Sequence, residues 1–269
     1  MLNKFLAFIL ITQSFIIGQS SWTIQPSVFF TRGEYSSQVN SNIFSTYLSL
    51  AYRSKFFFTL GYEFIKVEDP FWNYHQSNLL GNLIYWRPDL RLKLSVLKVN
   101  GDYSDQSNTK PILEKGLLFS PELLLGSYPF YYGLGYVNFN QTKSIKTSSH
   151  QIYFRNDYYP HYKFLISSIL SGIYFTDKQK YLALEVITYY TPIYYLTLKT
   201  SFTIGSRKNY FNPDLLIFFN HYQTQFSNYS LQVYYNFYKK ITGIFTYQRS
   251  NFTDFSINYF SLGLKTNIN

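Results

Sequence analysis

Apolar and polar side chains change places at almost every step along most of this chain. Phe44, Thr46, Leu48, Leu50 and Tyr52 fall on one face, and Ser45, Tyr47, Ser49, Ala51 and Arg53 on the other. After a short turn at Ser54, Phe56, Phe58, Leu60, Tyr62 and Phe64 repeat the scheme. Leu79, Gly81, Leu83 and Tyr85 lead to the turn Arg87-Pro88-Asp89, and Leu90, Leu92, Leu94 and Val96 lead away from it. A period of two is the signature of a strand with two unlike faces. The rhythm recurs in the runs around Leu134, Leu184, Leu198 and Leu231 and ends on Phe260, Leu262 and Leu264.

The connections predicted between these runs alternate in length. Arg32 to Asn42, Lys66 to Tyr74, Val99 to Lys115 and Asn140 to Ser149 read as long polar loops, with tight turns near Ser54, Pro88 and Ser127. Transmembrane barrels have this asymmetry, and they cross the bilayer with strands of roughly 9–11 residues. The fold predicted is all-β: a single closed antiparallel transmembrane β-barrel of about fourteen strands, twelve being the next choice, since bacterial barrels use even numbers.

Composition agrees with two unlike surfaces. Aromatic residues make up 22% of the 269, and only 14% are charged, against roughly 25% charged in an average soluble domain. Mean hydropathy is nevertheless slightly negative. Tyr and Phe crowd the predicted strand ends, as at Tyr128 to Tyr132 and Tyr189 to Tyr195, where interfacial girdles belong. The formal charge of +10 is carried by scattered residues. With no basic patch, nucleic acid is not expected as a partner.

The N-terminus has the order of a secretory signal. Lys4 supplies the positive charge, Phe5 to Ile11 and Phe15 to Ile17 the apolar core, and Gly18 to Ser21 the small or polar cleavage region. Residues 1–20 are therefore read as a cleaved signal peptide and 21–269 as the barrel. No later stretch approaches the ~18 apolar residues of a spanning helix.

Charges inside the predicted strands lie opposite the aliphatic face, which directs them to the lumen. They are Arg53, Glu63, Arg91, Lys93, Glu122, Arg155, Glu185, Lys199 and Asp214. Signs this nearly balanced predict a narrow or filled barrel cross-linked by ion pairs, with no strong ion selectivity.

Little in the chain advertises chemistry. Cysteine is absent, and His75, His150, His161 and His221 have no ligand spacing, so no metal or other cofactor is expected. One segment stands apart: Tyr74-His75-Gln76-Ser77-Asn78. His75 and Ser77 share the lipid-facing side where a strand meets a long loop. Pairing across the Pro88 turn brings Asn100 and Asp102 beside them. The segment resembles the His-x-Ser-Asn motif of outer-membrane phospholipase A and, more loosely, lipid A deacylases. The family pattern continues with Gly-Arg, where Leu79-Leu80 stands here. That resemblance implies a lipid hydrolase with Ser77 as nucleophile, His75 as base, and Asn100 or Asp102 orienting the base.

The principal expectation is a non-enzymatic protein of the bacterial outer membrane, a small pore or a structural or assembly component of the envelope. Its partners would be outer-membrane lipid and other envelope proteins. The alternatives are the lipid-face hydrolase and a secreted soluble β-barrel that binds a ligand.

Overall fold

The computed structural model describes residues 21–268, except 38, 106–110, 143–145, 213, 215, 220–222 and 239. The signal segment 1–20 and His221 lie outside the described residues. Eleven strands come first: β1 (Trp22–Tyr35), β2 (Asn40–Tyr52), β3 (Phe56–Glu68), β4 (Trp72–Arg87), β5 (Leu90–Asp105), β6 (Ile112–Ser127), β7 (Phe130–Thr142), β8 (Lys146–His161), β9 (Phe164–Phe175), β10 (Lys180–Ile193) and β11 (Leu196–Arg207). Two short strands follow, β12 (Tyr210–Asn212) and β13 (Ile217–Phe219), then β14 (Gln225–Tyr238), β15 (Ile241–Phe252) and β16 (Ser256–Thr266).

Fourteen of these close into one barrel. Each strand pairs with its sequence neighbour, β11 pairs with β14, and β16 returns to β1 with Val28 opposite Leu264. All pairings are antiparallel, so no edge is left open and every wall strand finds two partners. The pair β12–β13 forms a separate ribbon.

The wall is taller than the alternation predicts. Wall strands run from 11 to 16 residues. All four segments read as long loops are shortened, to 36–39, 69–71, 106–111 and 143–145, because their flanking residues stay in the ladder. Asn40 pairs with Glu68, and Asn73 with both Glu68 and Ser104. Polarity there marks where the wall leaves hydrocarbon, whereas the strand ends only where pairing ends.

The outward parity is apolar around the circumference. Leu79, Leu117, Leu134, Leu182 and Leu262 are each more than half exposed. A soluble barrel with such an exterior would aggregate, which overturns the soluble alternative. At the end with short turns, ring pairs such as Trp22–Tyr52 (4.7 Å), Phe56–Tyr85 (5.1 Å) and Phe130–Tyr158 (4.7 Å) build a girdle.

Inside, large rings lie over glycines of the adjacent strand. Tyr153 stands opposite Gly135, Tyr47 opposite Gly61 and Tyr259 opposite Gly33. In each pair a Cβ on the glycine would collide with the ring. The missing side chain is what lets the ring lie flat and fill the lumen. Much of the inner face is also aliphatic: Leu80, Leu97, Val99, Leu118, Val137, Ile169 and Ile187 form one buried cluster. A lumen lined mainly by polar groups is thus only half of what the structure holds.

Candidate functional site

The connection from β11 to β14 turns into the barrel. Phe211 and Phe218 of its ribbon are buried against the lumenal aliphatic cluster. The Phe139 and Phe218 rings meet at 4.3 Å. Gln151 of β8 binds the Phe211 main chain twice: its Nε2 donates to the carbonyl and its Oε1 accepts from the N–H, both at 3.3 Å. Asn212 Nδ2 donates to Glu185 Oε1 of β10 at 3.2 Å.

Charge fixes the same segment. Arg155 Nη1 donates to both Asp214 oxygens at 2.6 and 2.8 Å, and its Nε reaches Asp157 at 2.7 Å. Lys93 Nζ stands 3.9 Å from Asp214. Glu122 accepts from Arg91 Nη2 at 2.5 Å and from the Tyr153 hydroxyl at 2.8 Å. Arg207 Nη1 lies 3.6 Å from Glu185, with its guanidinium over the Tyr210 ring. These groups are almost wholly removed from solvent, where an unpaired charge would be costly.

Of the nine charges assigned to the lumen from sequence, seven line it from wall strands. Glu63, Arg91, Lys93, Glu122, Arg155, Glu185 and Lys199 all project inward. Two need correction. Arg53 lies beyond the end of β2, in the turn, exposed, with φ of 50° and its guanidinium over the Tyr52 ring. The tight turn ends the alternation one residue earlier than the pattern suggests. Asp214 is lumenal but belongs to no strand; the infolded connection carries it there. The apolar run Leu215-Leu216-Ile217-Phe218-Phe219 inside a connection was the available signal for infolding.

The ribbon fills one side of the lumen and leaves a chamber of about 830 Å³ along β1–β4 and β14–β16. Its lining extends from Ser37 and Asp69 at the loop end to Ser27 and Lys265 near the turn end. Its exposed surface is mainly apolar, from Phe29, Tyr47, Ile65, Val67, Tyr74 and Tyr259 among others, and Ser, Thr, Gln and charged residues are interspersed with them. Leu216 and Phe218 of the infolded segment form part of the wall.

The outer-surface candidates come together as the pairing across the Pro88 turn requires. His75 stands opposite Asp102, and Ser77 opposite Asn100. His75 Nδ1 lies 3.3 Å from Asp102 Oδ1, and the ring stacks on Phe64 at 6.1 Å. Ser77 Oγ donates to the Asn100 carbonyl at 3.5 Å. Among the described residues no hydrogen bond joins Ser77 Oγ to His75. All four border an open depression of about 210 Å³ with Leu113 and Lys115.

No protein-family model matches the sequence, and no curated protein matches it significantly. Solved structures do resemble the fold. The CymD monoaromatic hydrocarbon channel has a TM-score of 0.63 at 9% identity, covering 93% of this chain and 89% of that one. A Pseudomonas aeruginosa FadL homologue gives 0.59 at 8% identity, over 91% and 90% of the two chains. The Pseudomonas putida toluene transporter TodX gives 0.58 at 8% identity, over 94% and 91%. The chain therefore has the fold of bacterial outer-membrane barrels. With its apolar exterior and closed wall, it is an integral outer-membrane β-barrel protein.

Proposed function

We propose that this barrel is a channel for small, predominantly apolar solutes, which pause in the lumenal chamber. The observation that carries the reading is the chamber itself. A porin-like aqueous path would be lined by polar groups throughout; here aromatic rings and aliphatic side chains supply most of the exposed surface of about 830 Å³ beside an infolded ribbon, with polar side chains between them. That is the size and character of a small-molecule site. The hydrocarbon channels named above share the fold, which agrees with the reading. Residues 1–20 act as the export signal in this scheme, and outer-membrane lipid contacts the exterior.

Two measurements on the purified protein test it. Planar-bilayer recording should give little ionic conductance. Vesicles with a lipopolysaccharide outer leaflet should admit a toluene-sized probe faster when the barrel is present. Large conductance with sugar flux, or no acceleration of the apolar probe, would defeat the proposal.

The contact between His75 and Asp102 beside Ser77 favours a second reading, the lipid-face hydrolase suggested by the phospholipase-like segment. An acid-oriented imidazole next to a serine can activate its hydroxyl. Phospholipid or lipid A turnover that is abolished by Ser77→Ala would establish it. Absence of turnover in the unaltered protein would end it.

A further inference from the structure

The chain carries a formal charge of +10, yet the chamber is acidic. Four carboxylates line it (Glu63, Asp69, Glu114 and Asp214) against two ammonium groups (Lys199 and Lys265). Asp214 is committed to Arg155. Glu63 is not committed to any cation. It is 9% exposed, and its two oxygens accept from Asn78 Nδ2 at 2.7 Å and Ser45 Oγ at 3.2 Å. Both donors are uncharged. Among the described residues no cationic group lies within ion-pair distance of Glu63. A carboxylate can accept roughly four hydrogen bonds, so about half of its capacity faces the chamber.

One aromatic ring stands beside this carboxylate, and a second abuts that ring. Tyr47 lies over Gly61, two positions along β3 from Glu63 on the same inward face. Phe29 meets Tyr47 edge-on, centroids 5.9 Å apart. A carboxylate beside electron-rich rings is the combination that recognises an organic ammonium group. The chamber already holds one such contact of its own: the Lys199 ammonium rests 5.0 Å from the centroid of Tyr189, and both residues line the cavity.

We propose that the chamber binds small organic cations, a protonated amine on an apolar body, with Glu63 as counter-ion and Tyr47 and Phe29 as the aromatic wall. The proposal rests on the channel reading and narrows its solute class. Ile65 and Val67, on the inward face of β3 beyond Glu63, receive the apolar body. Selectivity comes from the Glu63 charge, with the neighbouring rings and aliphatic side chains supplying apolar contact.

Calorimetry on the full barrel in detergent tests this with three probes that share a phenyl body. They are 2-phenylethylamine, 2-phenylethanol and 3-phenylpropanoate. The amine is expected to bind about tenfold or more tightly than the alcohol, as a charge-assisted contact in a water-poor site would give. Glu63→Gln should erase that advantage while leaving the alcohol within about twofold, since uncharged contacts persist. Tyr47→Leu, which keeps the carboxylate, should weaken the amine more than the alcohol, and it serves if Glu63→Gln does not fold. Equal binding of amine and alcohol, an unchanged amine affinity in Glu63→Gln, or tightest binding of the carboxylate would overturn the organic-cation site and leave the chamber reading intact. Failure of all three probes to bind would remove both.

Discussion

Replacing Asp214 by Asn tests whether buried charge keeps the infolded segment docked. In the folded barrel Arg155 Nη1 contacts both Asp214 oxygens, at 2.6 and 2.8 Å, and the side chains are 3% and 10% exposed. Arg155 keeps Asp157 in the mutant, so its charge is not orphaned. The loss is then that of a hydrogen bond to a charged group, about 1.5–3 kcal/mol. At about 1.4 kcal/mol per tenfold, the docked-to-undocked ratio falls roughly 10- to 150-fold. Arg155→Met should cost more. Among the described residues it leaves Asp214 with Lys93 at 3.9 Å as its ion-pair partner, and it removes the ion-pair partner of Asp157. Breaking a buried pair in this way costs about 3–5 kcal/mol. The assay is single-channel recording combined with limited proteolysis of the 208–224 connection. Both variants should conduct more often and be cut faster, Arg155→Met the more so. The double mutant should fall short of the sum of the singles, because the two changes remove the same contact. Conductance and cleavage that match the unaltered protein in both variants would show that Phe211 and Phe218 hold the segment without help from charge.

Other consequences concern the wall. Gly135→Val should displace the Tyr153 ring and its hydrogen bond to Glu122; overpacking of this kind costs about 1–3 kcal/mol, and the temperature at which the barrel loses its fast-migrating form on a gel should fall. Leu134→Arg places a charge on the lipid face between Leu123 and Phe154, which near the midplane costs about 2–4 kcal/mol. Tyr128→Arg, at the turn end of the wall, should cost no more than about 1 kcal/mol by the same unfolding assay; equal losses at the two sites would argue against the assigned membrane depth.

Much of the architecture is written in short-range pattern. Side-chain period is set by the strand itself, so Leu79, Leu83, Leu92 and Leu134 declare the lipid face without reference to any partner. A tight turn then fixes register, and the Pro88 turn alone suffices to bring His75 to Asp102 twelve positions up the hairpin from the Arg87–Leu90 pair. Loop lengths were harder to read. Asn40, Glu68 and Asn73 are polar because the wall has passed out of hydrocarbon, yet they still pair, and polarity cannot distinguish a solvated strand from a loop.

The candidate site was legible only in part. The inward parity of Glu63, Lys93, Glu122, Arg155 and Lys199 follows from alternation. What those groups meet does not, since partners across a lumen are far apart in the chain and no local period relates them. Arg155 finds Asp214 from a connection 59 positions away, and Tyr153 finds Glu122 across 31. A closed, membrane-facing wall of about fourteen strands, with twelve as the next choice, was readable from the chain, because strand period, turn chemistry and an outward apolar parity are local properties. That an infolded ribbon fills one side of the lumen and leaves a chamber beside it, where Glu63 meets no cation among the described residues, follows from tertiary packing alone. That outcome depends on which inward side chains face one another across the barrel, and closure alone sets it.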